Sequence, residues 1–215
     1  MKLLESAPSR YDRGIRLLIG RRLDKAYERL TSQIKEKDKV LDIGCGTGTL
    51  SLRAAKRGAV VKGIDINSRM LEIAQIRARK ENLSHRIEFS EMGIAELGEE
   101  KEESFDVVMS GLCFSELTKD ELCFTLKEIR RLLRPRGLLL VIDEVKPRKI
   151  FKRILIWLPR ALLKTIVYLL TQSTTRAIKN LPEKIKESGL QIEEVKLNKW
   201  ENFMELMARK PKEEE

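Results

Sequence analysis

The 215-residue chain has little of what most enzyme centres are built from. It holds one histidine, His85, and three cysteines, Cys45, Cys113 and Cys123, with no C-x-x-C pair. An odd set of unpaired thiols excludes a disulfide scaffold and a thiolate zinc site and fits a reducing, cytoplasmic compartment. The lone histidine, on a surface loop ahead of an expected strand, excludes a multi-histidine metal centre and a Ser-His-Asp hydrolase. No metal is expected. Aromatic residues make up 5% of the chain, and no RNA-binding module is recognisable, so nucleic acid is not an expected partner. The start, "MKLLESAPSR", has no apolar run of signal-peptide length. Residues 154–170 are mostly apolar, but Pro159, Arg160 and Lys164 interrupt them and the run is shorter than the ~20 residues that span a bilayer.

Charge is abundant: 35% of residues are charged and the formal net charge is +10. Much of the basic excess is interleaved with acids and reads as a solvated surface, while the surplus also suits an anionic membrane or an acidic partner. With 42% hydrophobic residues the chain, 1–215, suits one domain with a sizeable core.

Residues 10–36 carry Ile15, Leu18, Ile19, Leu23, Tyr27, Leu30 and Ile34 at helical spacing. Over 37–145, short Val- and Ile-rich runs ("KVLDIG", "VVKGIDI", "RIEFSEM", "FDVVMSG", "GLLLVIDEV") alternate with helical patterns. That alternation predicts an α/β fold, a doubly wound, mostly parallel sheet with helices on both faces. Thr118 and Glu121 form a T-x-x-E helix start, and Pro135 marks the end of that helix. "ELGEEKEES", residues 96–104, reads as an acidic surface connection. A helical insertion is expected over 146–180, and a last helix with a strand pair over 181–210, Pro182 opening that helix and Gly189 closing it.

The chemistry concentrates in "VLDIGCGTGTLSLRAAKRGAVVKGIDI", residues 40–66. A strand, a glycine turn (Gly44, Gly46, Gly48) and a helix start bring backbone N–H groups and a positive helix end to an anionic ligand group. Asp65, about 20 residues on at the end of the next strand, is placed to accept from ribose hydroxyls, so a nucleoside-containing ligand follows. The D-x-G-x-G-x-G spacing from Asp42 differs from the G-x-G-x-x-G of dinucleotide binders and speaks against a nicotinamide-dependent oxidoreductase.

That run resembles the first motif of class I S-adenosylmethionine-dependent methyltransferases. "MGIAEL", "FDVVMSGLCFSEL" and "LKEIRRLLRPRGLLLVID" resemble the motifs at the third, fourth and fifth strands of the same superfamily. The resemblance implies a seven-stranded Rossmann-like sheet with a reversed last strand, and S-adenosylmethionine as cofactor. It also implies cofactor contacts from Asp42, Gly44, Cys45, Gly46, Gly48, Asp65 and Ile66, with Met92, Gly93 and Ser110 around adenine and sulfonium. The family's acid at the third strand is here Gly93, leaving backbone groups around Met92 to Ile94 to hold adenine, and its P-G-G turn is here "RPRG", with Arg136 in place of a glycine. Tyr11, in "YDRGIRLL", resembles a tyrosine that helps close the cofactor site in ubiquinone and menaquinone C-methyltransferases; helix packing is its other reading. "YLLTQSTTRAIKNLPEKI" and "WENFMELMARKP" further resemble the corrinoid protein-associated methyltransferases, which implies a corrinoid protein as a partner.

Methyl transfer asks the protein chiefly to align donor and acceptor. If a base is needed, the candidates are Glu116, Asp143 and Glu144, each of which could equally cap or orient nearby backbone. The acceptor stays open among small-molecule, lipid-like and corrinoid classes. For the insertion three readings stand: a lid over the acceptor, a peripheral helix on anionic membrane, and a protein-docking surface. A non-catalytic cofactor-binding scaffold is the alternative to an enzyme.

Overall fold

The computed structural model describes residues 23–146 and 177–212. Tyr11 and most of the insertion, with Pro159, Arg160 and Lys164, lie outside them.

Residues 23–31 form α1, whose spaced apolar residues Leu23, Ala26, Tyr27 and Leu30 are all buried. Then follow β1 (Lys39–Ile43), α2 (Thr49–Lys56), β2 (Val60–Asp65), α3 (Ser68–Lys80), β3 (Ile87–Glu91), β4 (Phe105–Gly111), α4 (Lys119–Leu132) and β5 (Leu133–Glu144). The chain closes with α5 (Leu181–Glu187), β6 (Gln191–Leu197) and β7 (Phe203–Arg209). The sheet order is β3-β2-β1-β4-β5-β7-β6. β1 to β5 run parallel, and β7 runs antiparallel to both β5 and β6. This is the mixed seven-stranded sheet the resemblance implies.

Strand alternation divides two cores across the sheet. Leu41, Ile43, Val108, Leu139 and Val141 pack with α4 and α5, while Val40, Val107, Met109, Leu140 and Ile142 pack with α1 and α2. The same alternation sends Asp42, two residues from Val40, to the α2 face. Asp143, two residues from Val141, goes to the α4 face.

The expected caps form: Thr118 N–H donates to Glu121 Oε2 at 2.7 Å, and Glu121 N–H to Thr118 Oγ1 at 3.3 Å. Pro182 opens α5, and Gly189 (φ +86°) follows it. Three details differ from the sequence reading or add to it. Helix α4 stops at Leu132, and β5 already begins at Leu133, so Pro135 lies inside an irregular strand start. Arg136 takes a left-handed φ of +65°, the conformation for which glycine is the unstrained choice. The acidic connection is anchored: Ile94–Glu99 forms a short 3₁₀ turn, Leu97 is fully buried, and Arg131 donates to the carbonyls of Leu97 (2.9 Å) and Glu100 (2.8 Å). Among the described residues no helix is long and apolar enough to cross a membrane.

Candidate functional site

The carboxyl ends of the five parallel strands lie on one side of the sheet, where open α/β sheets bind ligands. The loop after β1 is the glycine turn. Gly44, Gly46 and Gly48 all have positive φ (+68°, +51° and +78°), which explains three glycines in five residues. Each does a different job. A Cβ on Gly44 would lie 2.5 Å from Cys113 Sγ, so this glycine lets the loop after β4 close on the turn. One on Gly48 would lie 3.1 Å from Ala74 Cβ and from Phe89 Cζ, so α3 and β3 approach there. One on Gly46 would meet nothing within 4 Å, and this is the open face of the turn.

Asp65 ties β2 to that face. Its Oδ2 accepts from Gly46 N–H at 2.8 Å and its Oδ1 from Asn67 N–H at 2.9 Å. A carboxylate offers about four lone-pair sites, so both oxygens keep capacity for hydroxyl donors. Burial raises its pKa, against backbone donors that lower it. Next to it Ile66 is 77% exposed and lies against Gly93, whose Cβ position is 3.4 Å from Ile66 Cγ2. An apolar side chain left open beside such a carboxylate makes a floor suited to a planar base.

Asp42 is buried beneath the first turn of α2. Its Oδ2 accepts from Ser51 Oγ at 2.5 Å, while its Oδ1 has no partner among the described residues. Desolvation is the main cause that lifts its pKa to about 7, the Ser51 hydrogen bonds opposing and the charge of Asp65 adding. Helix α2 has no side-chain cap and no acid in its own first turn, so Asp42 beneath it is the carboxylate at its positive end.

The loop after β4 turns at Leu112, held at φ +62° with its N–H on Ile142 O at 2.8 Å. Ser110 Oγ donates to Ile43 O at 3.1 Å and so braces β1 from below. Asp143 clasps this loop: Oδ2 accepts from Ser115 N–H at 3.2 Å and Oδ1 from Glu144 N–H at 2.7 Å. That is the backbone-orienting alternative named for it above. Burial pushes Asp143 to about 6. Glu116 reaches the surface; desolvation of its carboxyl, then the charges of Asp65 and Asp143, push it to about 7. Burial pushes the Cys45 and Cys113 thiols up, so neither is an activated nucleophile.

Of the residues expected around adenine, Met92 N–H donates to Asp65 O at 3.1 Å and Gly93 N–H to Glu96 Oε2 at 2.7 Å, so both donors are spent inside the protein. Sequence reasoning missed Ser51, Ser115 and Arg77. Arg77 Nη1 donates to Thr47 O (2.8 Å), Thr47 Oγ1 (2.9 Å) and Thr49 Oγ1 (3.2 Å). Leu112 was missed too, because leucine carries no signature of positive φ.

A doubly wound sheet ordered 3-2-1-4-5-7-6, with a glycine turn after β1 and an acid at the end of β2, defines the class I methyltransferase fold. The residues present fit the cofactor of that class, S-adenosylmethionine: an open backbone face at Gly46, a carboxylate with lone pairs to spare at Asp65, an unmet carboxylate oxygen on Asp42, and a bare helix start. Residues 34–210 match the model of a family described as a methyltransferase domain, and the chain belongs to that family of S-adenosylmethionine-dependent methyltransferases. It is 31% identical over 180 residues to the methyltransferase GfsG of Streptomyces halstedii, covering 80% of this chain and 62% of that one. It is 32% identical over 115 residues to a demethylmenaquinone methyltransferase of Tropheryma whipplei, covering 52% and 44%. In fold it resembles the Burkholderia thailandensis 1,6-didemethyltoxoflavin-N1-methyltransferase with bound S-adenosylhomocysteine (TM-score 0.65, 17% identity, 96% of this chain and 88% of that one). The chain spans 44%, 40% and 62% of the length of three of the curated relatives it matches, about half.

Proposed function

We propose that the protein transfers the methyl group of S-adenosylmethionine to a small or lipid-like acceptor held over the ends of β4 and β5. The observation that carries this reading is the open face of Gly46, tied by its N–H to Asp65. On this reading the start of α2 takes the cofactor's carboxylate, Asp42 its ammonium, Asp65 its ribose, and Ile66 with Gly93 its base. The bound cofactor supplies an electrophilic methyl on a sulfonium, so no covalent enzyme intermediate is required. The chain's part is alignment and removal of water. Glu116, titrating near neutrality at the surface of the site, accepts the proton an acceptor hydroxyl or acidic carbon loses; Asp143 holds the loop that carries it. The similarity to a demethylmenaquinone methyltransferase supports a quinone-like, lipid-soluble acceptor.

A reduced corrinoid protein is the second acceptor to test, supported by the motif resemblance and by "CFSEL" after β4, a stretch without histidine. The domain boundaries of the sequence reading, with residues 146–180 as a separate insertion facing acceptor or anionic membrane, belong to this proposal.

Calorimetric titration with S-adenosylmethionine, S-adenosylhomocysteine and NADH tests the cofactor assignment. Saturable binding of the first two alone is expected, weakened at least ~10-fold by Asp65→Ala in a folded protein. Radiolabelled methyl transfer to a demethylated quinol and to reduced corrinoid protein then separates the acceptors. Binding with no turnover on any acceptor would favour a scaffold.

A further inference from the structure

We propose that Arg77 is a positioning residue for the cofactor: from behind, it locks the glycine turn in its binding geometry and adds positive potential where the cofactor's carboxylate arrives. This rests on the reading that the turn holds S-adenosylmethionine. Arg77 lies on α3, three residues after Ala74, so the two share a helix face. That face is docked on the turn, Ala74 against Gly48 and the Arg77 guanidinium on Thr47 and Thr49.

The peptide bookkeeping shows what the guanidinium does. Of the Cys45–Gly46 peptide, the N–H is on Asp65 Oδ2 and the carbonyl accepts from Gly48 N–H. Of the Thr47–Gly48 peptide, the N–H is on Cys45 O and the carbonyl is on Arg77 Nη1. Two peptides flanking the open face are thus held at both ends by three hydrogen bonds, one of them shared, and Arg77 supplies one of the three. A glycine on the C-terminal side of each peptide lowers the cost of a flip, so removing that restraint leaves a softer turn that the ligand must order on binding.

The charge points the same way. A cation at a helix N-terminus is disfavoured by the helix's own field. Arg77 Nη1 sits 3.2 Å from Thr49 Oγ1, at the first residue of α2, which has no acid in its first turn. The pair of like potentials suits an arriving anion.

The test compares wild-type protein with Arg77→Met and Arg77→Lys by calorimetry, using S-adenosylhomocysteine and methylthioadenosine, which has the same nucleoside end but no amino-acid end. Arg77→Met is expected to weaken S-adenosylhomocysteine by roughly 10- to 100-fold, the scale of a lost charged hydrogen bond, and methylthioadenosine by less than ~3-fold. Arg77→Lys, which keeps the charge, is expected to recover part of the loss. Unchanged S-adenosylhomocysteine affinity in Arg77→Met overturns the proposal. So does equal weakening of both ligands, which is what a merely structural staple gives. If Arg77→Met does not fold, Arg77→Lys carries the same comparison, with a ~3- to 10-fold loss confined to S-adenosylhomocysteine expected. No binding of either ligand by wild-type protein would instead defeat the cofactor reading itself.

Discussion

Alanine at Gly44 and at Gly46 makes nearly the same chemical change two residues apart, and the structure predicts opposite consequences. At Gly44 the new Cβ falls 2.5 Å from Cys113 Sγ and 2.6 Å from Cys113 Cβ, at a φ of +68°. A left-handed non-glycine residue costs roughly 1–2 kcal/mol and overpacking typically about 1–3 kcal/mol, so Gly44→Ala loses roughly 2–5 kcal/mol. In a chain of this size that is a fall in melting temperature of roughly 4–20 °C. Gly46→Ala meets no atom within 4 Å and carries only the φ cost, partly offset by a less flexible unfolded chain: about 1 kcal/mol. Its methyl instead stands on the face assigned to the cofactor, and S-adenosylhomocysteine affinity should fall at least ~10-fold. The second-site check is specific. Cys113→Ala leaves the Cβ clash in place, whereas Cys113→Gly leaves only Cα at 3.9 Å, an ordinary contact, and should restore part of the stability of Gly44→Ala. Thermal melts and calorimetry on the two single variants and the two doubles decide it. Equal stability of Gly44→Ala and Gly46→Ala would refute the packing of the turn on the β4 loop, and undiminished binding by Gly46→Ala would refute the cradle.

Two further outcomes concern stability. Asp42 and Asp143, lifted to about 7 and about 6, hold protons in the folded state that the unfolded chain loses near pH 4, so their contribution to stability falls as pH rises from about 4 to 7. Asp42→Asn should therefore flatten the stability–pH profile across that window in urea unfolding, and an unaltered profile would contradict the burial assigned to Asp42. Thr118→Ala removes one half of a reciprocal cap and should cost about 1 kcal/mol, read as a lower urea midpoint with unchanged slope.

The fold was legible because its signals are local and periodic. Val40, Val61 and Val107 sit in short apolar runs that only a sheet covered on both faces accommodates. The turn chemistry of Gly44 to Gly48, the Thr118–Glu121 cap and the Pro182 start each declare a boundary in a few residues. The site was legible in the residues that must be of one type: a glycine where φ is positive, an acid at the end of β2. What escaped were residues whose role depends on pairing at a distance. Arg77 meets Thr47 across 30 positions, and Ser115 meets Asp143 across 28. Nothing in arginine or serine marks such a partner. The 3₁₀ turn at Ile94–Glu99 escaped because Leu97 stands in a run that composition alone assigns to solvent, and its other anchor, Arg131, lies 34 positions away on α4.

The acids of the site make one more consequence measurable. Asp42, Asp65, Glu116 and Asp143 are each raised above the ordinary carboxylate range, burial being the leading cause in every case. They also repel one another: Asp65 raises Asp42, and Asp65 with Asp143 raises Glu116. Near neutral pH Asp42, Glu116 and Asp143, lifted to about 7, about 7 and about 6, are therefore protonated in part before any ligand arrives. S-adenosylmethionine brings an ammonium and a sulfonium, and a nearby cation favours the ionised carboxylate. Binding should thus release protons at about pH 7, and release more with S-adenosylmethionine than with S-adenosylhomocysteine, whose sulfur is neutral. Calorimetric titrations in phosphate and in Tris, whose ionisation enthalpies differ widely, report the proton count from the difference in apparent enthalpy. The sign is the critical result, because proton uptake would mean that the ligand buries these carboxylates without compensating their charge. Equal release for the two ligands would place the sulfur beyond the reach of Asp65, Glu116 and Asp143, and would move the reacting methyl group away from the loop those residues hold.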